Sequence, residues 1–588
     1  MRVLALAKQV PTLDSFILAD DGRMLRVGIP LEMSAYCRRA VAKAVEIARA
    51  SNGRSMVASL GPPQAEAILR ESLAWGADEV VLLSGQEFAG SDTLATARAL
   101  AALVELEGPF DLILVGRSSL DAETGQVGPE LAELLDLPFA SAVRHLEIDP
   151  EMRSARIQCE SDDGSRIMKV SLPAVMAVAE RLCAPAKVSS ELWQEIPSSS
   201  VRRVSAADLG HFGPWGAVGS PTSLGESKYL ETKRNALCFD GPLQDQVEAA
   251  IYALNLRGVF DRSTVVSDGP VIWNEKTWDS GPTISVLCEP DRPQFSQELL
   301  GSALALSVAI KGRIAAISAQ TEDLEEMRSW GADEVVRVEG GIVEEDFAAA
   351  VTEWARFQEP VVMLAPASYW GREVASRIAA SLGVGLTGDA IDLEIDSGRL
   401  IAWKSACGDS RHVAILSDSS LQMATVRPGV CRSAKVRPGA KKAVYRTVVA
   451  KNKGRIQIEA AWRDDDWELL AKADVVVGFG AGVKEEDYGQ IHEFAAVLGA
   501  ELAGTRKVTD LGLLPKSRQI GITGRSISPR LYIAVGLSGK LNHMVGVRGA
   551  DTILAINTNR DAPVFGSCDL GIVGDWRDAV PLLAKRLC

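Results

Sequence analysis

The heptapeptide WGADEVV occurs twice in this chain, at Trp75–Val81 and again at Trp330–Val336. Each copy follows a helical pattern, ILRESLA in one case and DLEEMRS in the other, and each opens an apolar run. A glycine that ends a helix and an Asp-Glu pair that opens a strand explain the motif locally. They do not explain the shared surroundings. Roughly 30 residues further on, both copies have another apolar strand pattern, LILVG at 112–116 and VVMLA at 361–365, and then a loop and a helix. Two units of one kind, roughly 255 residues apart, imply an internal duplication. Around the first copy, apolar runs at 3–7, 56–60, 80–83 and 112–115 alternate with helical patterns at 38–50, 64–75, 93–106 and 129–135. Such alternation predicts a mainly parallel sheet covered on both faces, with the loops after its strands along one ligand-binding edge.

Breaks in this pattern divide the chain into four segments. Residues 1–198 form the first α/β unit, and 266–440 form its second copy. Between them, 199–265 reads as an extended arm and linker, with SSS and GPWGAVGSP followed by a helix at 243–254. Residues 441–588, introduced by RPGAKK, form a third α/β unit. Its strands are expected at 474–477, 520–522, 532–535, 552–557 and 570–573, and its helices at 489–499 and 576–587. The fold class expected is α/β: two duplicated doubly wound parallel-sheet domains plus a C-terminal α/β domain.

Charge and composition exclude several functions. The chain has 63 Lys+Arg against 77 Asp+Glu, a net charge of −14, which is the wrong sign for general nucleic-acid binding. It has no apolar run long enough to span a membrane, and its first apolar stretch is too short for a signal peptide. The nine cysteines form no CxxC pair, and the five histidines stand at no metal-ligand spacing. No metal, no disulfide framework and a cytoplasmic setting are the expectations. Redox work would therefore need an organic cofactor.

Four loops in the last unit carry chemistry-bearing residues. VVVGFGAGVKEED places Gly480 and Gly482 between a strand and a helix, where glycines let backbone amides approach a phosphate. A plain tight turn would use the same residues. AGTRKVTD presents Thr505 and Arg506, a cation able to stabilise an anionic cofactor state if it faces a cleft. QIGITGRSISP combines Gly521, Ile522, Thr523 and Gly524 in a loop rich in potential donors. GLSGKLNHMVG opens a helix with Ser538 and Gly539 and sets Asn542 and His543 in its first turns, and Asn557 and Asp569 follow further on. The case rests on these loops converging at one sheet edge.

These residues carry a resemblance. GTRKVTDLGLLP, QIGITGRSISPRLYIAVGLSGKLNHMVG, AINTNRDAPVF and DLGIVGD resemble the FAD-binding domain of the α subunit of electron transfer flavoproteins. SYWGREVASRIAASLGVGLTGDAIDLEID and LQMATVRPGV resemble that subunit's first domain. VLALAKQVP, SLGPPQAEAILRESLAWGADEVVLL, VGRSSLDAETGQVGPELAELLDLP and DLGHFGPWGAVGSPT resemble the β subunit. The chain thus looks like a fusion of β, N-terminal, and α, C-terminal.

The resemblance implies that Arg506 lies by the flavin ring, that Thr523 donates to flavin N5 and that His543 donates near the C2 carbonyl. It implies FAD contacts at Thr505, Ser538, Asn557 and Asp569. Asn542 and Ile522 stand where the family has glutamine, and Ala481 stands where it has arginine; Lys484 and Lys540 are the cations that could compensate. In the first half, Ala7, the SLGPP loop and the stretch Asp121, Thr124, Gln126, Val127 and Gly128 line a site for AMP in ordinary members and for a second FAD in electron-bifurcating ones. The string DAETGQVGP leans toward the latter.

The function implied is an electron carrier rather than a group-transfer enzyme. It would accept electrons from a dehydrogenase through FAD and pass them to a membrane quinone reductase. The alternative is a bifurcating flavoprotein with two FADs that itself oxidises NADH. A nucleotide-binding sensor without redox chemistry is the third reading. Hinges are expected near 232–240 and 437–443.

Overall fold

The computed structural model describes residues 1–12, 28–119, 121–149, 151–162, 164–210, 213–229, 234, 236–260, 281–319, 324–406, 411–431, 433–434, 444–463, 469–470, 473–521 and 524–587. The hinge expected near 437–443 lies outside these residues; of the one expected near 232–240, residues 234 and 236–240 are described, and Leu237–Phe239 is a strand. The described residues group into two compact units rather than four segments: one from 1–228, 274–407 and 411–462, the other from 229–273 and 463–588.

The first unit contains two ten-stranded sheets. In spatial order the first sheet runs Arg202–Val204, Glu79–Leu83, Arg54–Leu60, Arg2–Leu6, Leu112–Gly116, Ala174–Val178, Phe139–Asp149, Ser154–Ser161, Gly164–Ser171, Ile456–Arg463. The second runs Val444–Val449, Glu334–Glu339, Arg313–Ser318, Thr283–Cys288, Val362–Pro366, Gln422–Val426, Leu386–Asp396, Arg399–Ala406, Arg411–Ser417, Thr222–Tyr229. The two orders match position by position, so the duplication is real at the level of topology. In each sheet the strands up to Phe139–Asp149 or Leu386–Asp396 are parallel, and an antiparallel meander follows.

WGADEVV has the same physical task in both copies. Gly76 and Gly331 take left-handed conformations, φ 115° and 110°, that end their helices. Asp78 then accepts from the Ser55 amide at 2.8 Å, and Asp333 accepts from the Ile314 amide at 2.8 Å. A carboxylate thus satisfies the amide of the second residue of the neighbouring strand in both copies.

The outermost strands are exchanged. After its own sheet is built, each copy lays one strand on its near edge (Arg202–Val204; Val444–Val449) and crosses to supply the far edge of the other sheet (Thr222–Tyr229; Ile456–Arg463). The stretch read as an arm therefore splits. Residues 202–229 belong to the two sheets of the first unit, while Leu237–Phe239 and the helix Leu243–Leu256 belong to the second. Residues 444–462, read as the start of the third segment, also lie in the first unit. Edge strands carry unpaired backbone groups, and pairing them with the other copy's arm covers them.

The second unit is a six-stranded, all-parallel sheet in the order Leu237–Phe239, Leu570–Val573, Thr552–Asn557, Leu531–Val535, Val475–Phe479, Glu501–Gly504. One face packs Val477, Phe479, Ile533, Leu554 and Ile572 beneath helices Leu243–Leu256, Tyr488–Leu498 and Trp576–Leu587. The strand expected at 520–522 is absent among the described residues. Gln519 and Ile520 make only isolated bridges, to Gly504 and Arg525. No helix among the described residues is long and apolar enough to cross a membrane.

Candidate functional site

The strand order of the second unit reverses between Val475–Phe479 and Leu531–Val535: the chain first moves outward to Glu501–Gly504, then returns and builds in the opposite direction. At such a switch point the loops after the two central strands part and leave a crevice. Those loops hold Gly480 and Gly482 on one side and Ser538 and Gly539 on the other.

The glycines act through close approach. The Gly480 amide donates to Val535 O at 3.2 Å and the Gly482 amide to Gly536 O at 2.9 Å. A Cβ at Gly480 would lie 2.6 Å from Leu537 Cβ, and one at Gly482 would lie 2.6 Å from Gly536 O. These two amides therefore tie loop to loop rather than facing outward, which differs from the sequence expectation. Gly539, at φ 72°, has no room for a Cβ, which would overlap the Val564 backbone. Asn557 braces the same turn, its Nδ2 donating to Leu537 O at 2.9 Å.

The neighbouring loops join this cluster. Thr505 caps the short helix Arg506–Asp510, and its amide donates to Phe479 O at 3.1 Å. Arg506 is half exposed and pairs with Asp510 at 3.2 Å. The Ile520 amide donates to Gly504 O at 3.0 Å, and Gly521 and Gly524 close a tight loop, the Gly524 amide donating to Gly521 O at 2.9 Å. Gly546 lies against the Gly521 amide, which sets this loop on the His543 turn. Ile522, Thr523 and the side chain of Asn542 lie outside the described residues. The helix expected after Ser538 is only one turn, Leu541–Met544, continued by a 3-10 turn at Val545–Val547. It offers turn amides rather than the end of a long helix dipole.

His543 is buried, and its Nε2 lies 2.7 Å from Tyr532 Oη. Burial holds its pKa down to about 4, opposed by the Ile520 backbone. Its Nδ1 lies beside that backbone with no partner in hydrogen-bonding geometry among the described residues. Sequence reasoning missed Tyr532, although Gly478 inside an apolar strand was the available signal: a Cβ there would overlap the tyrosine hydroxyl. Asp569 is committed to structure. It pairs with Arg234 and, at 3.2 Å, with Arg257, and it accepts from the Ile553 amide at 2.8 Å.

A second switch point lies in the first sheet, between Arg2–Leu6 and Leu112–Gly116. Ala7 and Lys8 follow one strand, and Ser119 and Asp121 follow the other. Lys8 Nζ reaches Asp121 at 2.8 Å and Ser119 Oγ at 3.1 Å. Gln126 is buried, with its Oε1 and Glu130 Oε1 each 3.0 Å from Thr93 Oγ1. Burial, reinforced by Asp92, pushes the Glu130 carboxyl up to about 8. Thr124 and Gln126 approach Gly388 of the second copy, while Gly128 packs on Phe139 and Val115. Val127 opens the helix Val127–Leu134. Sequence reasoning also missed the clamp on this loop from the second copy. Lys404 Nζ donates to Ala122 O at 2.6 Å, and Arg117 donates to Tyr369. At the equivalent place in the second sheet, Glu289 pairs with Arg292 at 3.5 Å, so the copies have diverged.

Comparison with known proteins accords with this geometry. The electron transfer flavoprotein domain matches residues 22–207 and 292–452, and the electron transfer flavoprotein FAD-binding domain matches 469–548. The α subunit of the electron transfer flavoprotein of Thermoanaerobacterium thermosaccharolyticum is 35% identical over 304 residues, 49% of this chain and 92% of that protein. The β subunit from the same organism is 33% identical over 262 residues, 44% of this chain and 100% of that protein. Protein FixB of Bradyrhizobium diazoefficiens is 35% identical over 318 residues, 51% of this chain and 86% of that protein. The FAD-binding match spans both loops of the C-terminal switch point, whose glycine turns bring the loops together and whose His543 supplies a buried polar group that suits a polar dinucleotide. This chain belongs to the electron transfer flavoprotein family, with β-like and α-like portions in one polypeptide.

Proposed function

We propose that the chain carries electrons in the cytoplasm from a dehydrogenase, through FAD held at the C-terminal switch point, to a quinone-reductase-type acceptor at a membrane. The observation that carries this reading is the coincidence of the FAD-binding match at 469–548 with the crevice between Gly480–Gly482 and Ser538–His543. FAD supplies the redox chemistry when bound. The protein's part is to bind and orient it and to set its potential. The turns at Gly480 and Gly482 hold the two loops at close approach, Gly539 sets its turn against Val564, and Thr505, Ser538 and Asn557 stand on the loops that frame the crevice. Arg506 brings a permanent positive charge to the rim, and His543 brings a buried imidazole. Free thiols at the described cysteines fit a reducing compartment.

The first sheet's switch point, with Lys8, Asp121 and Gln126, favours a second nucleotide, either AMP or a second FAD. The second FAD would make the chain an electron-bifurcating flavoprotein that itself oxidises NADH. Counting the nucleotides released on denaturation separates the two: FAD and AMP together mark the simple carrier, and FAD alone in excess of one per chain marks the bifurcating form.

Arg506 provides the test of the C-terminal assignment. Arg506→Ala should lower the potential of the first one-electron step by about 59 mV for every 1.4 kcal/mol of charge stabilisation lost. Arg506→Lys, which keeps the charge, should fall between. An unchanged potential in a redox titration of Arg506→Ala would remove the arginine from the flavin's surroundings.

A further inference from the structure

Tyr532 is the second residue of the strand Leu531–Val535, fully buried, and the space its hydroxyl occupies exists only because residue 478 is glycine. Its hydroxyl has one polar partner among the described residues, His543 Nε2 at 2.7 Å. The donor and acceptor roles in that bond follow from what each group can do elsewhere. A phenol carries one proton. If His543 donated through Nε2, the tyrosine proton would be buried with no acceptor, an unfavourable state. If the tyrosine donates, its proton is used and Nε2 is the bare, accepting nitrogen; the one donor that remains, Nδ1–H, lies beside the Ile520 backbone. A neutral imidazole then carries its proton on Nδ1. An imidazolium would present a donor at both nitrogens and set Nε2–H against the tyrosine hydroxyl.

The elements packed on the ring add no charge. The strand contributes the tyrosine hydroxyl and the 519–521 segment contributes the Ile520 backbone, while burial alone drives the ring toward neutrality. Burial likewise holds the Tyr532 hydroxyl protonated.

We propose that Tyr532 is a positioning residue: it donates to His543 Nε2 and so fixes His543 as a neutral imidazole with its proton on Nδ1, ready to donate to a carbonyl oxygen of the ligand gripped by these loops. The ligand side of this statement rests on the FAD assignment above. The tyrosine–histidine geometry does not. His543 in this form orients an acceptor oxygen by hydrogen bonding without bringing a full positive charge, which leaves Arg506 as the charged group at the rim. The division has a chemical consequence: the histidine's contribution to the potential is independent of pH through the range in which an ordinary histidine would titrate.

The test is nitrogen-15 NMR of the full-length protein as purified, labelled at histidine. Only five histidines contribute signals, and His543→Gln identifies the one in question. At about pH 6, where an ordinary imidazole is largely charged, His543 should give the pattern of a neutral ring protonated at Nδ1 alone. In Tyr532→Phe, which removes the hydroxyl and keeps the ring in place, that single form should be lost and the Nε2-protonated form should become populated. An imidazolium pattern in the parent protein, a proton on Nε2, or an unchanged Nδ1–H pattern in Tyr532→Phe each overturns the proposal. Visible absorption of the same sample reads the FAD assignment separately. Colourless protein would remove the flavin whatever the imidazole shows, and the NMR result judges the tyrosine whatever the colour.

Discussion

Gly539→Val should weaken FAD binding by about 10- to 100-fold, equivalent to roughly 1–3 kcal/mol of overpacking. The residue sits at φ 72° with its missing Cβ directed into the backbone of Val564. Backbone cannot rotate aside as a flexible side chain can, so the turn from Gly536 to Leu541 must move. That turn carries Ser538 and leads into His543, and its other anchor, the Val564 amide on Ser538 O at 3.1 Å, is lost with it. Fluorescence titration of the stripped protein with FAD measures the effect. Gly566→Ala is the control, since nothing lies within 4 Å of a Cβ built there. Equal affinities for the two variants would contradict the placement of the site.

Arg377→Ala should destabilise the first unit, by up to about 3–5 kcal/mol where its carboxylate partners are ionised, the usual cost of leaving a buried charge without its partner. Arg377 is 1% exposed and bridges the two copies, with Glu373 of its own helix at 3.2 Å and Glu133 of the first copy at 3.2 Å. Burial pushes the Glu373 carboxyl up to about 8 even with the guanidinium beside it. A carboxyl with a folded pKa above its unfolded value binds its proton more tightly in the folded state. Its contribution is therefore full at low pH and is lost as pH rises toward the folded pKa. Removing Arg377 takes away the group that opposes this rise, so the decline extends to higher pH. Urea unfolding at about pH 6 and about pH 8 should show the larger deficit at the higher pH. Arg377→Met, which keeps the stem and loses the charge, should recover the packing part alone.

Much of this architecture was legible because the duplication left a literal repeat. WGADEVV is a helix stop and a strand start whose aspartate caps the next strand, and one copy predicts the other. The parallel strands read clearly because they are short apolar runs between helices. The antiparallel meanders at Phe139–Ser171 and Leu386–Ser417 were not read, since only one face is buried and each mixes charge into its strands. The crossing strands were harder still. Val444–Val449 is exposed along most of its length and Arg202–Val204 is three residues long, so neither carries a periodic signal. Their place is decided by which edge is free, and that is information from the other copy.

At the site, the loops were found by their glycines, but the reason for the glycines was not. Gly480 and Gly482 permit contact between two loops, and Gly478 makes room for a tyrosine hydroxyl two strand positions away in the pairing, a relation invisible along the chain. Asp569, read as a ligand contact, holds two arginines of the 229–260 segment, a partnership about 320 residues apart in sequence.

The central claim is that the C-terminal sheet holds a flavin at its switch point. The direct measurement is the visible spectrum of the full-length protein after saturation with FAD and removal of the excess, with bound flavin counted after release, for the parent and for Gly539→Val side by side. The account predicts yellow parent protein and a variant that loses the flavin while keeping its secondary structure. A parent that stays colourless, or a variant that keeps its full flavin complement, contradicts it.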